Sequence, residues 1–307
     1  MIAIDRLSFR YPGSASAALT DLSLTVREGS LFGLLGPNGS GKTTLVSILA
    51  GILTPAADRV RVAGVELTKD VKKIQAFSAL VPQEYAFYPR LTVLENLRFF
   101  AGVQRIPRTE IAARIAEVLG ITGLTEASAR RAEHFSGGMK RRLNFAIGML
   151  NRPRLLFLDE PTVGIDPQSR HFILEAVKRI NREGTTVIYT SHYMEEVESL
   201  CDEIGVLDDG RLLVQGSLSS LLASEGGGHL LINFSSALDE KQRAALTKFA
   251  GLHVQDTQLE LERCSQVDFE RLIAVLGKHS VRLSRVKYGH GNLEELFLHL
   301  TRKQLRD

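Results

Sequence analysis

The sequence predicts an α/β fold in which buried strands end in loops that open helices, with a smaller α+β region behind it. Three observations carry that prediction. Residues 36–43 read GPNGSGKT, a match to G-x-x-x-x-G-K-[ST] that average composition produces by chance in about one chain in a hundred of this length. On either side, Gly29–Leu35 (GSLFGLL) is a buried-strand run and Thr44–Leu53 (TLVSILAGIL) is apolar at helical spacing. Farther on, Arg154–Pro161 (RLLFLDEP) is a second buried strand closed by two carboxylates, at the strand end where open α/β sheets bind ligands.

In GPNGSGKT the glycines let successive backbone N–H groups turn onto phosphate oxygens with no Cβ in the way. Gly36, Pro37, Asn38, Gly39, Ser40, Gly41, Lys42 and Thr43 are therefore the candidate nucleotide-binding residues. Lys42 suits the β- and γ-phosphates as a point charge, Thr43 offers a hydroxyl to Mg²⁺, and the helix N-terminus faces the same anion. Residues 1–27 read as two strands about a turn at Pro12-Gly13. Tyr11, an exposed aromatic at the edge of that turn, is placed to stack on an adenine ring.

At 307 residues the chain has room for one large domain and a small one. A formal net charge of +3, on 38 basic and 35 acidic side chains, is near balance and points to neither nucleic acid nor an anionic membrane. The start, MIAIDRLSF, alternates like a strand and lacks the basic and apolar segments of a secretory signal. No apolar run approaches the length of about 18 residues that a membrane span needs. The two cysteines, Cys201 and Cys264, lack metal-ligand spacing and read as small core hydrophobes in a reducing cytoplasm.

Along the chain, Val60–Val65 (VRVAGV) alternates and reads as one short strand, followed by a helical turn over Thr68–Lys73. Gln83 stands just past the apolar run ending at Val81, where its amide oxygen can reach Mg²⁺ or an attacking water. Leu91–Gly102 has Thr92 as N-cap with Glu95 three residues on, a capping box, and a second amphipathic helix spans Arg108–Leu119. The pair predicts a helical lobe inserted into the core. His134–Lys140 (HFSGGMK) leads into a helix over Lys140–Leu150. Ser136, Gly137 and Gly138 supply a hydroxyl, two bare backbone N–H groups and a helix N-terminus, a second anion-binding arrangement that a dimer can use. Arg141 and Arg142 read as a solvated helix face.

Asp159 is placed to hold Mg²⁺ through water, and Glu160 to orient or deprotonate the attacking water. Gly164-Ile165-Asp166 forms a loop before a helix over Gln168–Ile180. Thr185–Ser191 (TTVIYTS) is another buried strand, with His192 just past its end, where a residue would touch a γ-phosphate. Ile204–Leu207 and Arg211–Gln215 form a hairpin about Asp208-Asp209-Gly210.

With Gln83, Ser136-Gly137-Gly138, Asp159-Glu160, Asp166 and His192 in this order behind GPNGSGKT, residues 1–225 resemble the nucleotide-binding subunit of an ATP-binding cassette (ABC) transporter. The resemblance implies a P-loop NTPase fold with a RecA-like α/β core, an antiparallel β subdomain and an inserted helical subdomain, and ATP and Mg²⁺ as cofactors. It also implies a head-to-tail dimer, expected to be a homodimer, in which ATP on one copy's loop is closed over by the other copy's SGG. Carried over residue by residue, Tyr11 stacks on adenine, Gly36 to Thr44 bind phosphate, and Thr43, Gln83 and Asp159 serve Mg²⁺. Glu160 is the general base, Gln83 also positions the water, His192 senses the γ-phosphate, Ser136 to Gly138 act in trans, and Asp166 couples the two copies.

Three departures from the family pattern stand out. The signature reads FSGGM where LSGGQ is commonest, so Met139 lacks an amide, while SGG is intact. Asp166 follows VGI rather than SAL. Asp58 stands where glycine is frequent, and aspartate tolerates a left-handed backbone. FSGGM, TVGIDPQSR, TSHYMEEVE and NLEELFLHLT are similar to the export branch that includes drug-resistance and nodulation-factor exporters. That branch pairs the ATPase with a separate integral membrane permease, which implies a peripheral location on the cytoplasmic face of the inner membrane.

Residues 226–307 read as an accessory α+β domain behind a linker running from Ser219 through Gly226-Gly227-Gly228. A strand (His229–Phe234), a helix (Leu238–Ala250), two short strands within Leu252–Leu261, a helix (Asp268–Lys278), a strand (Val281–Lys287) and a helix from Asn292 suit a split βαβ unit. No catalytic constellation is visible in it. The leading functional expectation is an ATPase that powers export. The alternative is a soluble cassette ATPase acting on ribosomes or DNA, whose usual marks are paired cassettes, long coiled-coil inserts or zinc cysteines; this chain has none of them. An unrelated P-loop kinase leaves SGG and the motif order unexplained.

Overall fold

The computed structural model describes residues 1–56, 59–224, 228–249, 251–264, 266–289, 293–294, 296–297 and 300. Asp58 and Asn292, the start expected for the last helix, lie outside the described residues, while 293–294, 296–297 and 300 are helical. The chain divides into two units, Met1–Gly216 and Ser217–Asp307, where the sequence pattern sets the division at 225/226.

In the first unit, β1 (Ile2–Phe9) and β2 (Leu19–Val26) alternate buried and exposed side chains and pair antiparallel, as a sheet with one covered face requires. β3 (Leu31–Leu35) is buried at every position and leads through the glycine loop into α1 (Lys42–Leu49). The expected single strand over Val60–Val65 is instead a hairpin of β4 (Val60–Val62) and β5 (Val65–Glu66). Ala63 and Gly64 take positive φ (49° and 78°), the pair of left-handed residues that a tight hairpin turn uses. α2 (Val71–Phe77) begins later than the expected turn at Thr68, because Asp70 caps it by accepting from the Lys73 backbone.

β6 (Ser78–Val81) stops before Gln83. α3 (Val93–Val103) carries the expected capping box, with Thr92 and Glu95 bonding each other's backbone N–H, and α4 (Arg108–Thr122) follows. α5 (Gly137–Met149) starts at the first signature glycine rather than at Lys140, since Ser136 is itself the N-cap. The remaining elements of this unit are β7 (Leu155–Asp159), α6 (Pro167–Arg182), β8 (Thr186–Ser191), α7 (Met194–Leu200), β9 (Glu203–Asp208) and β10 (Arg211–Ser217).

The strands form a four-stranded sheet ordered β2-β1-β4-β5 and a six-stranded sheet ordered β10-β9-β3-β8-β7-β6. In the second, β9, β3, β8, β7 and β6 are mutually parallel. One apolar cluster joins the antiparallel sheet (Ile2, Leu22, Leu24) to α1 (Leu45, Ile48) and to Phe157 and Ile188 of the parallel sheet. α7 lies so close to β3 that a Cβ on Gly33 would come within 2.6 Å of Val197 and 3.0 Å of the Cys201 sulfur. Cys201 is thus the core residue expected.

The second unit contains α8 (Leu218–Ser224), β11 (Gly228–Phe234), α9 (Glu240–Leu246), β12 (Leu252–Gln255), β13 (Gln258–Cys264), α10 (Gln266–Lys278) and β14 (Leu283–Gly289). Its sheet order, β12-β13-β11-β14 with every pair antiparallel, is that of a split βαβ unit. α9 begins at Glu240 rather than at the expected Leu238, because Asp239 and Gln242 form a capping box that fixes its start.

Candidate active site

Four parallel strands deliver the candidate residues to one sheet edge. β3 ends at Leu35 opposite Ser191 of β8, Asp159 of β7 lies opposite Thr190, and Val81 of β6 lies opposite Leu158. The phosphate loop, Glu160, His192 and Gln83 each follow one of these ends, at the carboxyl edge where an open α/β sheet binds ligands.

The glycine loop is shaped by close approach. A Cβ on Gly36 would meet the Leu207 carbonyl at 2.2 Å, and one on Gly41, whose φ is 104°, would meet the Ala18 carbonyl at 2.8 Å. Only glycine meets both constraints at Gly41. The β9–β10 turn braces the loop, with the Gly210 N–H donating to the Ser40 carbonyl at 3.0 Å. Lys42 is buried, and its ammonium donates to the carbonyls of Gly36 (2.9 Å) and Pro37 (3.0 Å). Thr44 is bonded to the Tyr11 hydroxyl at 3.2 Å, which brings the exposed aromatic to the loop as the sequence places it.

Glu160 is the hub. Its Oε1 lies 3.5 Å from Lys42 Nζ, and its Oε2 accepts from Gln83 Nε2 at 3.4 Å. His192 Nδ1 lies 3.4 Å from the same Oε2, without hydrogen-bond alignment. The Glu160 backbone is left-handed (φ 45°) and held there by Thr190, whose hydroxyl accepts from the Glu160 N–H (2.9 Å) and donates to Asp159 (2.7 Å). A strained backbone at a buried carboxylate marks a site that the surrounding structure over-determines.

Ser136, Gly137 and Gly138 belong to a second constellation. Tyr85 donates its hydroxyl to the Gly137 carbonyl (3.4 Å), and a Cβ on Gly138 would come within 2.0 Å of the Ser169 hydroxyl and 2.7 Å of Asp166. Asp166 caps α6 through the Ser169 N–H (2.8 Å), and that bond holds its carboxyl below the usual range. A Cβ on either glycine would thus meet Tyr85, Gly164, Asp166 or Ser169, none of them a phosphate-loop residue.

Two features depart from the sequence reading. Arg141 is buried rather than solvated. It donates to the carbonyls of Gln83 and Val163 (the latter at 3.2 Å) and sits 5.1 Å above the Tyr85 ring, while burial pulls its pKa down. Arg142 reaches the Thr122 carbonyl (3.4 Å) and stacks on Phe172. The signal was in the helical period, because Arg141 stands three residues after Gly138 and four before Phe145 on one buried face. The second feature is Glu196, buried and accepting from Thr162 (2.8 Å), Tyr189 (2.7 Å) and Ser191 (3.3 Å), with Arg170 Nε 3.3 Å away. Ser191 also accepts from the Tyr193 N–H (2.9 Å), so this network flanks His192 on both sides. In the sequence Glu196 looks like an ordinary acidic residue in a first helical turn.

The donor set also bears on the metal. Thr43 is exposed, Asp159 is buried, and the Gln83 amide lies beside Glu160. One carboxylate, one hydroxyl and one amide do not make an all-protein cage, and they fit Mg²⁺, which is bound by one or two carboxylates together with substrate phosphates.

The ABC transporter family matches residues 19–163. The linearmycin resistance ATP-binding protein LnrL of Bacillus subtilis (strain 168) is 42% identical over 294 residues, covering 93% of this chain and 94% of that protein. The Nod factor export ATP-binding protein I of Cupriavidus pinatubonensis is 36% identical over 95% of this chain and 88% of its own length. Among solved structures, the dimeric bacterial ABC transporter cassette MJ0796 superposes with a TM-score of 0.65 at 25% identity, covering 71% of this chain and 99% of that one.

Proposed function

We propose, from the premise that this chain belongs to the ABC transporter family, a mechanism in which Glu160 and its three partners hydrolyse ATP to drive an exporter. The chain is an ATP-binding, ATP-hydrolysing subunit of an ABC exporter. The observation that carries the mechanism is the convergence of Lys42, Gln83 and His192 on one buried carboxylate at the carboxyl ends of parallel strands.

In the proposed reaction the phosphate loop, Gly36 to Thr44, holds the triphosphate while Tyr11 stacks on the adenine. Gln83 orients a water, and Glu160 accepts its proton as the oxygen attacks the γ-phosphorus and the bond to ADP breaks. His192 contacts the γ-phosphate. Thr43, Asp159 and Gln83 would hold Mg²⁺, which neutralises charge on the β- and γ-phosphates when bound. The second anion-binding turn, Ser136 to Gly138, serves the nucleotide of a partner copy in a head-to-tail homodimer, and Asp166 sits at the crossing. Residues 1–225 form the nucleotide-binding domain and 226–307 an accessory domain.

Among the described residues no helix is long and apolar enough to cross a membrane. The proposed partner is accordingly a separate integral membrane permease, with this subunit peripheral at the cytoplasmic face of the inner membrane. The test is a pull-down of tagged Glu160→Gln chain with ATP from gently solubilised membranes of its own cell. An integral membrane protein is expected to co-purify. Recovery from the soluble fraction with ribosomes or DNA would overturn the export reading.

A further inference from the structure

The backbone that carries Gln83 is held almost entirely by one face of α5. Arg141 donates to the Gln83 carbonyl, and Asn144, one turn on, donates to the carbonyls of Pro82 (3.0 Å) and Glu84 (3.2 Å). Asn144 also accepts from the Ala86 N–H at 2.9 Å. The loop is closed from the other side by Tyr85, whose ring lies under the Arg141 guanidinium and whose hydroxyl reaches the carbonyl of Gly137. With its second nitrogen Arg141 also holds the carbonyl of Val163, three residues past Glu160. One buried guanidinium therefore ties three segments together: the loop whose side chain touches Glu160, the segment leaving Glu160, and the helix that begins with the SGG turn.

We propose that Arg141 is a positioning residue for hydrolysis, which fixes the backbones of Gln83 and Val163 to α5 so that the Gln83 amide meets Glu160 and shifts only together with the SGG turn. The inference rests on the reading of Glu160 and Gln83 as the hydrolytic pair. Guanidinium is the group this task needs. Its rigid planar fork donates to two carbonyls at once and stacks on an aromatic ring, whereas a lysine ammonium at the end of a flexible stem cannot hold both carbonyls at these positions. By its hydrogen bonds Arg141 reaches neither nucleotide-loop residues nor the Glu160 carboxylate; its charge also acts on Glu160, and Arg141→Lys keeps that charge, so this variant reads backbone placement.

The test uses the full chain, with ATP binding followed by a fluorescent ATP analogue and steady-state hydrolysis followed by phosphate release. In Arg141→Lys, nucleotide affinity and KM are expected to stay within about two-fold of the parent while kcat falls about ten-fold, the pattern of a misplaced catalytic group. Gln83→Ala added to Arg141→Lys is expected to lower kcat little further, because both changes remove the same alignment. Should Arg141→Lys fail to fold, Tyr85→Ala at an exposed position loosens the same clamp, with an expected fall in kcat of about three-fold at unchanged KM. Parent-like kcat in whichever variant folds, a raised KM at unchanged kcat, or full additivity with Gln83→Ala overturns the inference. A parent chain that neither binds nor hydrolyses ATP removes the hydrolytic reading itself, and the positioning role with it.

Discussion

Lys42 Nζ and Glu160 Oε1 lie 3.5 Å apart, with their side chains only 4% and 8% exposed. On the proposed mechanism a triphosphate entering the glycine loop competes with Glu160 for that ammonium. Binding therefore separates the pair and leaves the carboxylate to Gln83, His192 and water, which is the environment a general base needs. On that mechanism the contact links affinity to catalysis within one copy of the chain.

The two ends of that pair should respond oppositely. Lys42→Ala removes the phosphate's cation and is expected to lower ATP affinity by about a hundred-fold or more. Glu160→Gln removes the competitor and is expected to raise affinity by about three- to ten-fold. Calorimetric titration of both variants with ATP checks this. Equal or weaker binding by Glu160→Gln means the pair does not oppose nucleotide entry.

The Glu196 network is expected to matter for stability as well as for the placement of His192. Glu196→Ala strands buried hydroxyls of Tyr189, Thr162 and Ser191 and the Arg170 guanidinium, a loss of roughly 3–5 kcal/mol. Glu196→Gln keeps the shape and one acceptor, and should lose about 1–3 kcal/mol. Urea denaturation orders the three chains. A Glu196→Ala midpoint equal to the parent's would show that the network carries no net stability.

Asp166 gives a pH signature. The Ser169 N–H lowers its folded pKa below the ordinary 3.8, so its cap stabilises above that ordinary value and is lost as pH falls through the lower folded value. The gap in melting temperature between the parent and Asp166→Asn should be flat from about pH 7 to about pH 5 and close below about pH 4. A gap that closes near neutrality would place the effect on another group.

Much of this site was legible in the chain because its residues are fixed by local chemistry. GPNGSGKT demands a loop between strand and helix, LLFLDE demands a buried strand with its carboxylates at the end, and Thr92 with Glu95 demands a helix start. Parallel pairing then brings Leu35, Val81, Asp159 and Ser191 to one edge, a consequence of crossover topology rather than of any single motif. What the sequence hid was long-range and polar. Arg141 holds carbonyls 58 and 22 residues away, and Glu196 gathers a hydroxyl from 34 residues upstream. Charge on a helix suggests solvent until the partner segments are known. The VRVAGV hairpin was hidden for a different reason, since its turn uses Ala63 at positive φ, where alanine carries no sequence signal.

On the proposed mechanism Glu160 takes the proton of the attacking water. That role is tested most directly by measuring ATP turnover of the purified chain and of Glu160→Gln side by side with Mg²⁺, together with their size in solution. The parent is expected to hydrolyse ATP, and Glu160→Gln to bind it with kcat lower by about 10²–10⁴-fold and to accumulate as an ATP-bound dimer. Turnover by Glu160→Gln at the parent's rate would contradict that role.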